Sequence, residues 1–381
     1  MSVKKMPKGL YIHIPFCSQM CTYCDFAKLF ARMQDTDAYM DALIMELKYY
    51  EANTGFSDLM TIYIGGGTPT TLNRFQLEQL FGYLHQVIDF SRLSEVTIEA
   101  NPEDVDDQKA NLLASLGVNR VSIGVQTFDD KLLKNLGRTH TSESAIQAVK
   151  TLHTHGISNI NLDLIYAIPG QSLAGLQKDL EIATLLGVSH ISAYSLIVEP
   201  NTKLYLDYER DRISLVDNDL EATMYEMVIE ALKQSGFSHY EISNFAKDQE
   251  SVHNKIYWQN EEYIAVGLGS HGYIDGTRYH NTRSINAYLK RLQEGSIPVV
   301  ESNVLSMDEK IEESMFLGLR LLMGVDIGHV NQRWNTDIEV LYADAISKLK
   351  QTGQIEIVDG FLRLTEAGLF LANDVFEEFL L

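Results

Sequence analysis

Three cysteines fall within eight residues of this 381-residue chain, and the sequence holds no others. They are Cys17, Cys21 and Cys24, in the segment C-S-Q-M-C-T-Y-C. Structural zinc sites and ordinary iron–sulfur clusters use four protein ligands, so three thiolates leave one position open. The cluster therefore predicts a metal centre that binds a cofactor or substrate. Three buried cysteines placed together by chance, or a zinc site completed by a histidine, are the alternatives.

Glycines and polar residues lie where predicted strands end. The loop G-G-G-T-P, from Gly65 to Pro69, follows a predicted strand, and its glycines would let backbone groups approach a ligand closely. Further candidates end, follow or lie within later strands: Glu99, Gln126, Arg138 and Asp163. Taken singly, each could be a solvated strand end or a surface arginine. Asp163 is the exception, because a carboxylate in an apolar strand needs a partner.

The first two thirds of the chain alternates β-branched runs with amphipathic stretches. The predicted strands are Leu10–Ile14, Thr61–Ile64, Glu95–Ala100, Arg120–Gln126, Asn159–Tyr166 and His190–Val198. The predicted helices are Ala38–Glu51, Phe75–Ile88, Gln108–Leu116, Ser144–His155, Leu173–Leu186 and Asp217–Gln234. Six β/α units with right-handed crossovers fit a partial (β/α) barrel, and a doubly wound sheet is the alternative. Either fold places its site at the carboxyl ends of the strands.

The pattern changes after about Pro200, and we expect a domain boundary between residues 236 and 237. Residues 1–236 form the predicted barrel, and residues 237–381 form a smaller, mainly helical domain. At its end, a helix near Ile346–Leu349, a hairpin turning at Asp359-Gly360 and a helix over Ala367–Phe379 are typical of a winged helix.

Composition narrows the function classes. The formal charge of −21 argues against a protein that binds nucleic acid or an anionic membrane, because both kinds of binding require clustered Lys and Arg. No apolar run reaches the ~18 residues of a membrane span, and the short run after Lys8 is interrupted by His13 and Pro15. We expect a cytoplasmic protein.

The spacing C-x3-C-x2-C, with Tyr23 before the last cysteine, resembles the radical S-adenosylmethionine (SAM) superfamily. The resemblance implies a [4Fe–4S] cluster held by Cys17, Cys21 and Cys24. It also implies that SAM chelates the fourth iron and that the cluster reduces the sulfonium to give a 5′-deoxyadenosyl radical.

A longer set of motifs resembles the oxygen-independent coproporphyrinogen III oxidase (HemN-like) family. They run in order over roughly residues 10–200: Y-I-H-I-P-F-C from Tyr11, G-G-G-T-P-T from Gly65, E-A-N-P from Glu99, G-V-Q-T-F from Gly124 and L-G-R-T-H from Leu136. The resemblance implies SAM contacts from Tyr11, Gly66, Gly67, Thr68, Glu99, Gln126, Arg138 and Asp163.

Two departures separate this chain from the oxidase branch of that family. The oxidase has a fourth cysteine two residues after the third, where this sequence has Phe26. It also carries a longer segment before the first motif. Both departures argue against coproporphyrinogen decarboxylation.

The segment His253-Asn-Lys-Ile-Tyr-Trp258 resembles the H-N-x-x-Y-W motif of the heme chaperone (HemW) branch. It offers an imidazole as an axial iron ligand and two large aromatics for a macrocycle face. The resemblance favours heme contacts from His253, Asn254, Tyr257 and Trp258. The chemistry alone favours a packed aromatic cluster with a structural histidine, and only the resemblance shifts the interpretation to heme. His271 and His280 are alternative ligands.

Two functions follow from these resemblances. The first is a heme chaperone that carries a SAM-liganded cluster and passes heme to an acceptor hemoprotein, for example in a membrane. The alternative is a coproporphyrinogen III dehydrogenase that uses the deoxyadenosyl radical. A radical SAM enzyme acting on another substrate, RNA included, is weaker because the chain is acidic. We expect heme as ligand, no nucleic-acid partner, and a monomer or heme-dependent dimer.

Overall fold

The computed structural model describes residues 6–381. Its first part repeats a strand followed by a helix, as predicted. The strands are β1 (Gly9–Ile14), β2 (Thr61–Gly66), β3 (Glu95–Ala100), β4 (Arg120–Gln126), β5 (Asn159–Tyr166) and β6 (His190–Ser195). The helices are α1 (Thr36–Asn53), α2 (Arg74–Val87), α3 (Asp107–Ser115), α4 (Asp130–Asn135), α5 (Ser142–Thr154), α6 (Leu173–Leu185), α7 (Lys203–Glu209) and α8 (Asn218–Gln234).

The six strands are neighbours in the order in which they occur along the chain, and all pair in parallel. A doubly wound sheet would reverse this order near its middle, so the strand order rules out that alternative. The sheet stays open, because its two edges are formed by other strands that do not pair with each other. The predicted α/β partial barrel is confirmed.

Successive side chains of a strand point to opposite faces of the sheet, so every second side chain faces the inside of the barrel. On β1, Leu10, Ile12 and Ile14 are fully buried in the hydrophobic core, together with apolar residues of the helices. Tyr11 and His13 therefore face the opposite side, because successive strand residues alternate between faces. The interior of the barrel is consequently lined by polar side chains.

The sheet continues beyond the first six strands. The additional strands are β7 (Ser238–Glu241), β8 (Asn244–Ala246), β9 (Tyr263–Val266), β10 (His271–Ile274), β11 (Thr277–Asn281) and β12 (Val299–Val304). The order of all twelve is β12-β11-β10-β9-β1-β2-β3-β4-β5-β6-β8-β7. β9 pairs in parallel with β1 and is thus a seventh barrel strand. Helices α9 (Val252–Trp258) and α10 (Ile285–Gln293) lie between these strands along the chain.

A buried carboxylate on α1 connects the segment that carries β9 to β12 to the barrel through hydrogen bonds. Glu46 on α1 is fully buried and accepts hydrogen bonds from the Gly267 backbone N–H at 2.8 Å and the Tyr288 hydroxyl at 2.6 Å. The Asn281 side-chain amide donates to its other oxygen at 2.6 Å. Burial raises the pKa of Glu46 to about 7, although these three donors oppose the rise. The part of the chain that carries Gly267, Asn281 and Tyr288 therefore shares the core of the barrel.

The C-terminal unit has a separate hydrophobic core running from Ile311 to Phe379. Its helices are α11 (Met307–Gly318), α12 (Ile327–Trp334), α13 (Ile338–Leu341), α14 (Ala343–Gln351), α15 (Glu366–Leu369) and α16 (Ala372–Glu377). Its strands, β13 (Val325–Asp326), β14 (Ile355–Val358) and β15 (Phe361–Leu364), pair in the order β13-β15-β14. Since the second core starts after β12, we propose a boundary near residue 305 rather than between 236 and 237.

The winged-helix-like end differs from the prediction in one element. A single helix was expected over Ala367–Phe379, but the chain forms α15 and α16, with Phe370 and Leu371 between them. The hairpin turn is as expected: Asp359 and Gly360 both have positive φ, at 52° and 83°, as a two-residue turn of this kind requires. Among the residues that the structure describes, no helix is both long and apolar enough to cross a bilayer.

Candidate cofactor site

The three cysteines lie in the loop that follows β1, at the carboxyl end of the parallel strands. All three line one cavity of about 420 Å³, together with residues that end β2 to β6. Cys17 is buried, while Cys21 and Cys24 are partly exposed. Within residues 6–381, no three His, Cys, Asp or Glu side chains converge in the manner of a single-ion site. Three cysteine thiols that face one cavity fit the donor set of a cluster, in which each sulfur would bind a different iron.

A chain of hydrogen bonds connects two of the thiols. Arg138 Nη1 donates to Cys21 Sγ at 3.5 Å, and its Nη2 donates to Asn101 Oδ1 at 2.8 Å. Asn101 Nδ2 donates to Thr68 Oγ1 at 3.1 Å, and Thr68 Oγ1 donates to Cys17 Sγ at 3.8 Å. Both sulfurs thus already accept from donors that would favour a thiolate over a thiol.

Cys17 also shows why a cation is needed here. Burial raises the pKa of the Cys17 thiol to about 11, and the hydrogen bond from Thr68 opposes only part of the rise. The group would stay protonated at neutral pH, and the thiolate is the form that binds metal. Iron bound at this position would supply the missing positive charge. The donor set, the shared cavity and the hydrogen bonds to sulfur therefore fit a [4Fe–4S] cluster.

The glycine-rich loop closes tightly over the cysteine loop. Gly66 has φ +115°, and a Cβ at this position would collide with the ring of His13. The backbone N–H of Gly67 donates to the Ile14 carbonyl at 2.8 Å, and that of Thr68 donates to the Phe16 carbonyl at 2.7 Å. The sequence requires glycine here because backbone of the two loops packs directly together.

Glu99 is the penultimate residue of β3 and faces the same cavity. Its carboxylate accepts from the Gly66 N–H at 2.9 Å and from the Tyr63 hydroxyl at 2.8 Å. Burial raises the pKa of Glu99 to about 7, a value at which a bound cation would decide its ionisation. Such a carboxylate suits a ligand that carries positive charge and N–H or O–H donors, and SAM carries both.

Gln126 is held in the cavity by an irregular backbone. Its φ is +68°, a left-handed value that is uncommon for a residue other than glycine, and the β4–β5 register shifts between Gly124 and Gln126. The bulge changes the direction of the Gln126 side chain. Its Nε2 packs so closely against Gly124 that a Cβ added to Gly124 would lie only 2.9 Å from this nitrogen. Backbone strain of this kind is common at ligand sites.

The cavity contains seven of the eight residues predicted to contact SAM: Gly66, Gly67, Thr68, Glu99, Gln126, Arg138 and Asp163. The Asp163 carboxylate has the hydrogen-bond partners that we expect for a carboxylate in an apolar strand. It accepts from Ser122 Oγ at 3.0 Å and from Asn161 Nδ2 at 2.8 Å. Tyr11 is the exception. It is not part of the lining, and its hydroxyl bonds to His13 Nδ1 at 3.0 Å. A SAM contact from Tyr11 stays a prediction.

Sequence reasoning missed several residues of the lining. Asn101 lies within the E-A-N-P motif, which predicts no role for it, although it links Arg138 to Thr68. Tyr63 and Tyr194 also line the cavity. Tyr63 could have been predicted, because residues two apart on a strand share a face and Gly65 belongs to the glycine-rich loop. Phe26 and Ile197 form an apolar mouth, with 65% and 67% of their surfaces exposed.

The H-N-x-x-Y-W segment lies at the other end of the barrel. It forms α9, which packs against the amino-terminal ends of the strands: His253 Nδ1 bonds to Oγ1 of Thr61, the first residue of β2, at 2.7 Å. The Val252 N–H donates at 2.8 Å to Glu95, the first residue of β3. Strands of six residues span roughly 20 Å, so this length of barrel separates α9 from the cofactor cavity.

The structure does not present His253 as an open ligand. The residue is fully buried, its Nδ1 bonds to Thr61 and its Nε2 bonds to the Tyr257 hydroxyl at 2.6 Å. Burial lowers the pKa of His253 to about 3, so the ring stays neutral. Iron ligation by His253 would require these bonds to break. The i, i+4 pair His253 and Tyr257 faces the barrel, whereas Trp258 turns toward the C-terminal unit.

We expect His253→Ala to destabilise the whole barrel. The substitution removes two buried hydrogen bonds and leaves the Thr61 and Tyr257 hydroxyls without their partner, which typically costs about 2–4 kcal/mol in all. Urea unfolding followed by circular dichroism measures the loss. His155→Ala is the matched control, because His155 is partly exposed and its ring contacts the exposed Asp107 at 3.1 Å. An unfolding free energy equal to wild type would show that α9 is not anchored as described.

The alternative histidines lie on the sheet extension. His271 and His280 are directly opposite each other on β10 and β11, with ring centroids 5.0 Å apart. His280 Nε2 is 3.0 Å from Glu301 Oε2 on β12. Neither residue lines the cofactor cavity or a second cavity beside Trp258.

An open parallel barrel with three cysteines and a glycine-rich loop at one end of its strands defines the radical SAM class of proteins. Residues 11–183 match the model of the radical SAM superfamily, and residues 305–371 match that of the HemN C-terminal domain. The latter begins where we place the boundary of the C-terminal unit.

Curated relatives are similar over the full length. The chain is 41% identical to the heme chaperone HemW of Bacillus subtilis, covering 98% of this chain and 99% of that protein. It is also 41% identical to the heme chaperone HemW of Lactococcus lactis, over 98% of each. The chain belongs to the HemW family. The solved coproporphyrinogen III oxidase (HemN) of Escherichia coli shares its fold, with a TM-score of 0.85 and 22% identity over 98% of this chain and 90% of that one.

Proposed function

We propose that this protein is a heme chaperone that binds heme and passes it to an acceptor hemoprotein. The observation that carries the proposal is its similarity, over nearly the whole length, to proteins named heme chaperone HemW. Phe26 supports it, because the position that holds a fourth cysteine in the oxidase branch is an exposed aromatic at the cavity mouth. Heme handover therefore accounts better for this chain than porphyrinogen decarboxylation.

The proposal includes a [4Fe–4S] cluster and SAM in the large cavity. Cys17, Cys21 and Cys24 would hold the cluster, and Thr68 and Arg138 would donate to two of the sulfurs. These donors lower the negative charge on the sulfurs and so tune how easily the centre accepts an electron. Bound together, the cluster and SAM supply one-electron chemistry at the sulfonium.

The chain's own residues would orient the SAM molecule. Glu99 faces its positive charge, the backbone of the Gly66–Thr68 turn approaches closely, and Asp163 offers a second buried carboxylate. Arg138 is committed to Cys21, Asn101 and the Gly124 carbonyl, which it contacts at 2.5 Å. We infer that Arg138 positions the cluster side of the cavity.

The intact cavity keeps the dehydrogenase as a second candidate. Its residues are those that a radical SAM oxidase of the same fold would need. The difference lies at Phe26, which replaces a thiol by a phenyl ring at the mouth where a substrate would enter.

We therefore predict that the reconstituted protein, supplied with SAM and a reductant, leaves coproporphyrinogen III unconverted. Anaerobic incubation followed by chromatography of the porphyrins checks this. The control is Phe26→Ala, which opens the mouth without adding a thiol and should be equally inactive. Protoporphyrinogen formed over multiple turnovers by the wild-type protein would overturn the prediction and establish the dehydrogenase.

A further inference from the structure

A series of buried hydrogen bonds connects the start of α9 with the cofactor cavity. Its members, which we call the Asp163 network, are in order Ser251, Tyr240, His190, Asn161 and Asp163. The Ser251 N–H lies 3.3 Å from the Tyr240 hydroxyl, which lies 2.8 Å from His190 Nε2. His190 Nδ1 lies 2.6 Å from Asn161 Oδ1, and Asn161 Nδ2 lies 2.8 Å from Asp163 Oδ1. Of these five residues only Asp163 lines the cavity, so the network reaches it from outside.

Each hydrogen bond of the Asp163 network has one direction. An ionised Asp163 carboxylate only accepts, so the Asn161 atom beside it is the amide nitrogen and the amide oxygen faces His190. That oxygen also only accepts, so the proton of His190 is on Nδ1, and Nε2 accepts from the Tyr240 hydroxyl. The Tyr240 oxygen in turn accepts from the Ser251 N–H. Every donor therefore points toward Asp163, and hydrogen bonds aligned in this way strengthen one another.

The neutral ring of His190 keeps this direction fixed. His190 is fully buried. Burial lowers the pKa of His190 well below its ordinary value, and the positive charge of Arg120 lowers it further. A protonated ring would donate from both nitrogens and could not accept from Tyr240. Burial also raises the pKa of Tyr240, so its hydroxyl stays a donor. The network thus has a single arrangement of protons near neutral pH.

The far end of the network is held in place by α9. Ser251 directly precedes α9 and is fully buried, and its Oγ donates to Glu95 Oε1 at 3.4 Å. The Val252 N–H donates to the other oxygen of Glu95. One turn of the helix also bonds to β2, through His253 and Thr61. These hydrogen bonds fix Ser251 relative to the strands, so the network starts from a rigid point.

The Asp163 carboxyl depends on such support for its charge. Burial raises the pKa of Asp163, while hydrogen bonds from Ser122 and Asn161 and the charge of Arg120 lower it. The titratable and charged groups that face Asp163 are Tyr63 on β2, Glu99 on β3, Arg120 on β4 and Tyr194 on β6. A buried carboxylate among these groups remains ionised only if its hydrogen-bond donors are held in place.

We propose that the Asp163 network holds this carboxylate ionised and oriented toward SAM, and that Tyr240, His190 and Asn161 are positioning residues of the SAM site. The inference rests on the proposed SAM site and extends it to side chains that lie outside the cavity. It also gives α9 a role in cofactor binding. The helix that carries His253 supports the SAM site from the opposite end of the barrel.

The test is the SAM affinity of full-length, anaerobically reconstituted Tyr240→Phe, measured by isothermal titration calorimetry. The substitution removes one hydroxyl and keeps the ring, so the network is interrupted while the lining of the cavity is unchanged. We expect the affinity to fall about 3- to 10-fold at pH 6, as the loss of one buried hydrogen bond implies. Tyr279→Phe is the matched control. Its hydroxyl is similarly buried and makes two hydrogen bonds to the Ala265 backbone, and it should bind SAM as the wild type does.

Two further readouts distinguish positioning from a general loosening of the barrel. In the Asp163→Asn background, Tyr240→Phe should leave the SAM affinity unchanged, because the network no longer ends at a carboxylate. In addition, the ratio of wild-type to Tyr240→Phe affinity should rise as the pH is lowered from 8 to 5. The variant protonates Asp163 at a higher pH than the wild type does, whereas the titration of Glu99 is common to both proteins and cancels in the ratio.

The outcomes separate two failures. A wild-type protein that binds no SAM would contradict the proposed SAM site itself. If the wild type binds SAM and Tyr240→Phe binds it with the same affinity at every pH, the SAM site stands and the network does not act on it. Equal losses of affinity in Tyr240→Phe and Tyr279→Phe, or an affinity ratio that does not change with pH, would also overturn the inference.

Discussion

Replacing Cys17, Cys21 or Cys24 with alanine should abolish the brown chromophore of the anaerobically reconstituted protein. We propose these three thiols, which face one cavity, as the protein ligands of the cluster, so the loss of any one leaves two. The wild-type protein should bind about four irons per chain, with one iron free of protein ligands. Iron and sulfide analysis with electron paramagnetic resonance measures the loss.

Phe26→Ala is the control for the cysteine series, because it alters the same loop without touching a thiol. It should retain the full iron content. The alanine variants should also keep the wild-type circular dichroism spectrum, since two of the three cysteines are partly exposed and contribute little to the core. A triple alanine variant that still assembles a [4Fe–4S] cluster would contradict the assigned ligands.

Glu99→Gln should weaken SAM binding to the reconstituted protein by about 10- to 100-fold at pH 8. A charge-assisted hydrogen bond contributes roughly 1.5–3 kcal/mol, which corresponds to that range. The pKa of Glu99 is about 7, so the wild-type carboxyl is ionised at pH 8 and protonated at pH 5.5. Its attraction for a sulfonium is present above pH 7 and is lost as the pH falls through that value.

Isothermal titration calorimetry at several pH values distinguishes this role from a structural one. The affinities of wild type and Glu99→Gln should converge near pH 5.5 and separate above pH 7. Glu143→Gln is the matched control, because Glu143 is exposed on α5 and does not line the cavity. A constant ratio between Glu99→Gln and wild type across this pH range would show that ionisation of Glu99 does not act on the ligand.

Much of the barrel could be predicted because its signals are local. Three of the first six strands, Glu95–Ala100, Arg120–Gln126 and Asn159–Tyr166, have the predicted bounds. The cysteine loop and the Gly66 turn were also predictable, since their residue types are dictated by metal chemistry and by close backbone approach.

The remainder depends on contacts between distant parts of the chain. The strand Tyr263–Val266 belongs to the barrel because it pairs with β1, about 250 residues earlier in sequence, and no local pattern encodes that pairing. The same holds for His253: its neighbours in sequence suggested a heme ligand, but its partners Thr61 and Tyr257 occupy both ring nitrogens.

The central claim is that one chain carries both a radical SAM cofactor site and a heme. The most direct test is a heme titration of the reconstituted protein, with the iron–sulfur content assayed before and after. We predict saturation at one heme per chain with the cluster unchanged, because the H-N-x-x-Y-W segment and the cysteine cavity lie at opposite ends of the barrel. Heme that fails to saturate, or that binds only as the cluster is lost, would contradict the account.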